Sequence, residues 1–276
     1  MESAPKALSA CGPPIGPRDA ESLNSSCFCV SLDVDALKHE FETDSETRSV
    51  YPLILEKNPH LFAALPVFVS RRHLDEMAAI IQAAQAVISM RPYQEGALER
   101  APQIAHFDAG GARGVFLSYD FHVAEAGPKL IEINTNAGGA LLNAALARAQ
   151  RVCCPAIAGM NTSPVALEAL EQTFVDMFLA EWRLARGERE LRRIAIVDEN
   201  PQEQYLYPEF ILFQQLFRRH GIDAVIMDPA ALRLETGVLW HGTDTVHRGH
   251  NRLTDCRLEA PGAAAGSEAY WTEIAQ

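Results

Sequence analysis

The sequence of 276 residues contains no uninterrupted apolar run near the roughly 18 residues that a membrane helix requires. Its N-terminus also lacks the basic start and apolar core of a secretory signal. We therefore expect a cytoplasmic protein with no membrane partner. Positive charge is scarce too, since 24 Lys and Arg stand against 36 Asp and Glu, a formal net charge of −12. This excess of acid argues against a nucleic-acid backbone as partner.

The six cysteines do not have the paired spacing of a zinc site. Neither Cys27 and Cys29 nor the vicinal Cys153 and Cys154 are joined by a second pair at the usual distance. Without a secretion signal, we interpret the cysteines as free cytosolic thiols. The apolar fraction of 48% is that of an ordinary globular protein, so the chain can form one large domain or two modest ones.

The most informative segment is residues 130–139, with the sequence LIEINTNAGG. Alternate side chains of a strand share a face, so Leu130, Glu132 and Asn134 are predicted to point the same way. Glu132 and Asn134 are then about 7 Å apart at the backbone, close enough for their oxygens to bind one hard cation. A helix is predicted at 140–148, and free N–H groups at its start suit a phosphate or carboxylate. Spacing alone leaves a solvated strand before a glycine turn as the more common interpretation.

The remaining pattern predicts an α/β protein with a disordered tail at residues 1–25. Two strands, at 114–121 and around Glu132, are expected to pair as a hairpin. Strand 194–197, helix 207–219 and strand 224–227 have the order of a parallel βαβ unit. Further predictions are helices at 34–41, 50–57, 71–89 after a Ser70 cap, and 164–186, a strand at 66–69, and a hairpin at 232–240. The turn after residue 197 lacks the glycines of a dinucleotide site, which excludes NAD binding.

The Ile-Glu-Ile-Asn segment at 131–134 resembles the metal strand of eukaryotic-type glutathione synthetases, which are circularly permuted members of the ATP-grasp superfamily. The similar order of elements extends over about residues 66–255. By this resemblance Glu132 and Asn134 bind the Mg²⁺ that bridges the phosphates of ATP. The implied fold is a partial ATP-grasp, glutathione synthetase-like body at 26–189 and a Rossmann-like substrate domain at 190–258. Residues 259–276 would be a linker and the start of a C-terminal ATP-binding segment.

The resemblance also implies which residues line the substrate side. These are Asp120, Asn136, Gly138, Gly139, Glu203, Glu209 and Arg252. The chain departs from the family pattern at Leu117, where the family has an arginine, and at Tyr205 and Glu209, where it has an amide. Because unpaired buried polar groups are costly, such a pocket should hold a substrate other than that of glutathione synthetase. From the residues alone, an ordinary surface arginine is the more common interpretation of Arg252. Capping or solvation explains Asp198 and Glu199 as well as ligand binding does.

The function implied is an ATP- and Mg²⁺-dependent ligase that joins a small-molecule carboxylate to an amine through an acyl phosphate. The family continues with a long segment that supplies ATP-binding lysines and a glycine-rich lid. The chain is therefore expected to be a truncated form with an incomplete ATP site, and its catalytic activity is left open. The alternative is a non-catalytic small-molecule-binding or interaction module derived from such a ligase. A homodimer is also left open.

Overall fold

The computed structural model describes residues 20–26, 30–43, 45, 47–101, 103–106, 111, 114–124, 126–152, 164–235, 238–246 and 248–251. The chain divides into two compact units, one formed by residues 1–75 with 142–167 and the other by 76–141 with 168–276. Among the helices of the described ranges, none combines the length and apolar character needed to cross a membrane.

Helices and strands are mixed along the described ranges, as expected for an α/β protein. The first half contains α1 (Ala20–Ser26), β1 (Val30–Leu32), α2 (Val34–Glu42), α3 (Val50–Lys57), α4 (Arg71–Ile88), α5 (Arg91–Leu98), β2 (Ser118–Ala124), β3 (Gly127–Asn134), α6 (Ala140–Ala149) and β4 (Gln150–Val152). The second half contains α7 (Pro164–Arg186), β5 (Arg193–Val197), α8 (Tyr207–Arg219), β6 (Asp223–Met227), β7 (Leu232–Glu235), β8 (Val238–His241), β9 (Asp244–Val246) and β10 (Arg248–Asn251). The helix α1 overlaps the end of the predicted disordered tail, and residues 1–19 lie outside the described ranges.

The first unit is built around α2 and α3, at the positions predicted from the sequence. Helix α2 begins at Asp33, whose Oδ1 accepts the backbone N–H groups of Asp35 and Ala36 at 3.1 and 3.2 Å. The ring of Phe41 in α2 stacks on Tyr51 in α3 with a centroid distance of 6.5 Å. A short antiparallel pairing of β1 with β4 completes this unit. Its helices are therefore held by a cap and by aromatic packing.

The predicted strand at residues 66–69 is wrong, because these residues have no strand partner in the described structure. The side chain of Asn24 takes the place of a neighbouring strand. Its Nδ2 donates to the Phe68 carbonyl at 2.8 Å, and its Oδ1 accepts the Phe68 N–H at 2.7 Å. One amide side chain thus satisfies both backbone groups of a residue that the apolar pattern places in a sheet.

In the second unit, β2 and β3 form the predicted antiparallel hairpin. Its register pairs Ser118 with Asn134 and Asp120 with Glu132, and then skips Ile131. The first strand begins at Ser118, four residues later than predicted. Helix α4 begins after the predicted cap, since the Ser70 hydroxyl oxygen accepts the backbone N–H of His73 at 3.1 Å.

The parallel sheet of the second unit has the order β10-β5-β6, with β5 in the centre. Helix α8 connects β5 to β6, which confirms the predicted βαβ unit. The helix stops before Gly221, which has a left-handed backbone with φ +76°. Glycine adopts this conformation with little steric strain. The third strand, β10, was not predicted because its sequence Arg-Gly-His-Asn contains no apolar run.

A cluster of aromatic rings fills the space beside this sheet. Phe178 lies edge-on to Phe217 with a centroid distance of 4.9 Å, and Phe116 lies edge-on to Phe213 at 5.6 Å. Such edge-to-face pairs stabilise a core beyond the area that they bury. The predicted hairpin at 232–240 is present as β7 and β8, and β9 extends it to a three-stranded antiparallel sheet.

Candidate functional site

The hairpin β2–β3 brings the two predicted cation ligands to one face. The side-chain amide nitrogen of Asn134 lies 3.0 Å from Oε1 of Glu132. The predicted shared face of Glu132 and Asn134 is therefore confirmed. It does not extend by simple alternation to Leu130, because the register is irregular between that residue and Glu132.

A third oxygen-bearing side chain joins this pair from the opposite strand. Asp120 is the cross-strand neighbour of Glu132, and its Oδ2 lies 3.4 Å from the amide nitrogen of Asn134. The Ser118 hydroxyl donates to Oδ1 of Asp120 at 3.4 Å. The resemblance had placed Asp120 on the substrate side, whereas the geometry groups it with the candidate metal ligands. The signal for this was the alternation Ser118-x-Asp120 in the strand predicted to pair with Glu132.

These side chains form a small set of hard oxygen donors. Glu132 and Asp120 are exposed and Asn134 is half-buried, so a hydrated ion can reach all three. Mg²⁺ prefers oxygen ligands in an octahedron and is commonly held by one or two carboxylates, with water and phosphate completing the shell. In the described part of the chain no three His, Cys, Asp or Glu residues come together as a ligand set. The candidate site therefore consists of two carboxylates and one amide.

The amide of Asn134 lies between the two carboxylates and donates to both. Its –NH₂ group thus occupies a position where positive charge is favoured. A half-turn of the terminal amide would exchange the nitrogen for the oxygen, and three oxygens would then surround one point. Carboxylate and amide oxygens are the donor types that hard divalent cations take.

At the start of α6, two of the N–H groups that the sequence predicts to be open already have an acceptor within the protein. The carboxylate of Glu209, on the first turn of α8, accepts the Gly139 N–H at 2.7 Å and the Leu141 N–H at 3.0 Å. Glu209 is 1% exposed. A carboxylate from the protein itself thus occupies the place expected for a bound phosphate or carboxylate, because the helix N-terminus attracts negative charge. For these two N–H groups the prediction of an anion site is wrong.

The remaining predicted substrate residues are scattered. Asn136 is half-buried and Gly138 exposed in the loop between β3 and α6. Glu203 ends a 3₁₀ turn at Pro201–Glu203, is exposed, and donates its backbone N–H to the Asn200 carbonyl at 2.8 Å. Arg252 lies outside the described residues. The structure therefore joins Asp120 to the cation pair and Gly139 to Glu209, and places Glu203 in a separate turn.

That separate turn follows the central strand β5, at the sheet edge where α/β proteins commonly bind ligands. Asn200 has a left-handed backbone with φ +44°. Its N–H donates to Oδ2 of Asp228, which follows the neighbouring strand β6, at 2.8 Å. Asp198 is buried, and its Oδ1 accepts the N–H of Glu199 at 2.8 Å. These carboxylates cap backbone groups of the turn, which is the structural alternative that the sequence left open.

A cavity of about 400 Å³ lies elsewhere in the second unit. Its lining combines apolar side chains with charged side chains of both signs. The lining residues include Trp182, Arg183, Glu188, Arg189 and His220. It contains none of the residues that the sequence analysis assigned to a site.

Comparison with known proteins finds no protein-family model that matches the chain and no curated protein that matches its sequence.

Proposed function

We propose that the protein is an ATP- and Mg²⁺-dependent carboxylate–amine ligase of the ATP-grasp type, similar to glutathione synthetase. The observation that carries the proposal is the convergence of Glu132, Asn134 and Asp120 on one accessible face of the β2–β3 hairpin. A helix follows this strand, as the resemblance requires. The proposed architecture is a partial ATP-grasp body with a Rossmann-like substrate domain, and the parallel unit β5–α8–β6 supports that assignment.

In such a ligase ATP phosphorylates a carboxylate, and an amine then displaces the phosphate to form an amide. Charge develops on the transferred phosphoryl group, so a divalent cation contributes chiefly by electrostatic stabilisation. Glu132, Asn134 and Asp120 would hold that cation and leave its other positions to phosphate and water. The substrates proposed are a small carboxylate and a small amine, with Asn136, Gly138 and Glu203 on the substrate side.

The test is phosphate release from ATP by the full chain with Mg²⁺ and a panel of amino acids and dipeptides. The wild-type chain should release phosphate with at least one pair of substrates. Replacing Glu132 with glutamine should lower kcat by roughly a hundredfold, because a charged cation ligand is lost. The matched control is Glu99→Gln, which removes an exposed carboxylate after α5, outside the hairpin, and should leave kcat unchanged.

Direct binding of Mn²⁺, used in place of Mg²⁺, is the second measurement. Glu132→Gln should weaken Mn²⁺ binding by about tenfold or more, whereas Glu99→Gln should not. A wild-type chain that neither binds Mn²⁺ at the hairpin nor turns over ATP would contradict the proposal.

A second candidate is a non-catalytic small-molecule-binding or interaction module. The contact of Glu209 with the start of α6 favours it, because a protein carboxylate uses two N–H groups that a phosphate would otherwise accept. Calorimetry would separate the two candidates. A module would bind amino acids or Mn²⁺–ATP without releasing phosphate, whereas a ligase would release it.

A further inference from the structure

Glu209 is a buried carboxylate that lies outside the candidate cation site. Burying a charge is costly unless hydrogen bonds compensate for it. The N–H groups of Gly139 and Leu141 provide two such bonds, at 2.7 and 3.0 Å, and they point from the positive end of a helix. The first turn of α8 is thereby tied to the loop that leaves β3.

The same helix also holds the chain that leads into β2. Phe213 lies one turn after Glu209 on α8, and its ring contacts the ring of Phe116 at a centroid distance of 5.6 Å. Phe116 is two residues before β2, and its carbonyl accepts the Ala137 N–H from the loop after β3 at 3.4 Å. One turn of α8 therefore fixes both chain segments at the base of the hairpin.

Away from its base, the hairpin is contacted by α4, where Gln85 Nε2 donates to the Tyr119 hydroxyl at 3.1 Å. Among its residues of described burial, only Gly127 and Pro128 are buried. A two-stranded hairpin is marginally stable unless something packs against it. The relative orientation of Glu132 and Asn134 therefore depends in part on how the base of the hairpin is anchored.

We propose that Glu209 is a positioning residue for the candidate cation site. It acts through Gly139, five residues after Asn134, and through α8, and it does not touch the cation. The proposal rests on the proposed function only in taking Glu132 and Asn134 as cation ligands.

The test compares Glu209→Gln with Asp33→Asn in the full chain. A glutamine keeps the size of the side chain, but its –NH₂ would face one of the two N–H donors, so one hydrogen bond is lost. Asp33 serves as the control because it is also a buried carboxylate that accepts two backbone N–H groups at a helix start, and it additionally pairs with Arg151. It lies in the other compact unit.

Hydrogen exchange of backbone amides, measured by NMR, reports on the hairpin directly. In Glu209→Gln the amides of β2 and β3 should exchange about tenfold faster or more, while those of β5 keep their wild-type rates. Asp33→Asn should leave all three strands unchanged. Wild-type exchange in the hairpin of Glu209→Gln, or equal acceleration in β5, would overturn the proposal.

Paramagnetic broadening by Mn²⁺ then gives the affinity of the site in each variant. Glu209→Gln should weaken Mn²⁺ binding several-fold, and Asp33→Asn should not. Equal binding by wild type and Glu209→Gln would refute the positioning role and leave the proposed function standing. If wild type binds no Mn²⁺, Glu132 and Asn134 are not cation ligands, and the positioning role of Glu209 fails together with that premise.

A second variant guards against misfolding of the first. Glu209→Asp keeps the negative charge on a side chain one methylene shorter. It should accelerate exchange in the same two strands by a smaller factor than Glu209→Gln. Acceleration confined to other strands would overturn the proposal.

Discussion

The βαβ unit and the β2–β3 hairpin belong to the same compact unit but differ in burial and in the chemistry of their side chains. Residues 194–197 of the central strand β5 are 0% exposed, while most strand residues of the hairpin are half-buried or exposed. The buried strand is an apolar run, and the hairpin presents carboxylates and an amide. The difference indicates that stability resides mainly in one region, whereas the candidate chemistry lies on the other.

Such a division suits a cation site. A divalent ion keeps part of its water shell, so its ligands can lie on an accessible face, whereas an organic ligand generally needs a concave pocket. The open hairpin must nevertheless hold its ligands in place. The contacts of Glu209 and Phe116 at the base of the hairpin link the hairpin to the well-buried region around α8.

The largest effect is expected in the aromatic core. Phe217 is 0% exposed, and its ring contacts Phe178 and Phe213 at centroid distances of 4.9 and 5.9 Å. Phe217→Ala should lower the free energy of unfolding by about 3–5 kcal/mol, because it leaves a cavity that the packed helices cannot close. Urea denaturation measures this change.

The same substitution in the hairpin provides the control. Phe121 in β2 is half-buried and pairs with Leu130 across the hairpin. Phe121→Ala should cost about 1–2 kcal/mol, since much of the side chain is already in contact with water. If Phe217→Ala and Phe121→Ala lower the free energy of unfolding equally, the core is not more tightly packed than the hairpin.

An intermediate effect is expected at Phe116, which belongs to both regions. Its half-buried ring lies 5.3 Å from that of Phe174 and 6.0 Å from that of Phe178. Phe116→Ala should lower the free energy of unfolding by about 2–3 kcal/mol and accelerate amide exchange in β2. Phe116→Leu, which keeps most of the apolar volume, should cost about half as much. Unchanged exchange in β2 would show that the hairpin does not depend on this ring.

Prediction from the sequence succeeded where local sequence patterns determine the secondary structure. Strand β5 and helix α8 were predicted correctly because their signals are local. These signals are the apolar run at 194–197, the helical spacing at 207–219 and the stop at Gly221. It failed at residues 66–69, because the side chain of Asn24 satisfies the backbone of Phe68 from 44 positions away. The periodicity of apolar residues cannot reveal such a long-range contact between a side chain and the backbone.

The candidate site shows the same limit. Two-residue spacing was enough to bring Glu132 and Asn134 together, since alternation in a strand fixes a shared face. Glu209 could not be understood in this way, because its partners Gly139 and Leu141 lie 70 and 68 positions away. The sequence therefore predicts a substrate contact where the fold forms an internal helix cap.

The smallest effect is expected at Ile131, which the hairpin register skips and which is 65% exposed. Ile131→Thr keeps a β-branched side chain suited to a strand, so the free energy of unfolding should change by less than about 0.5 kcal/mol. Mn²⁺ affinity should also stay the same, because the side chain offers no ligand. If Ile131→Thr lowers the free energy of unfolding by more than about 1 kcal/mol, and by more at higher protein concentration, a second copy of the chain covers this face. The hairpin would then form part of a dimer interface, and its face would be exposed only in the monomer.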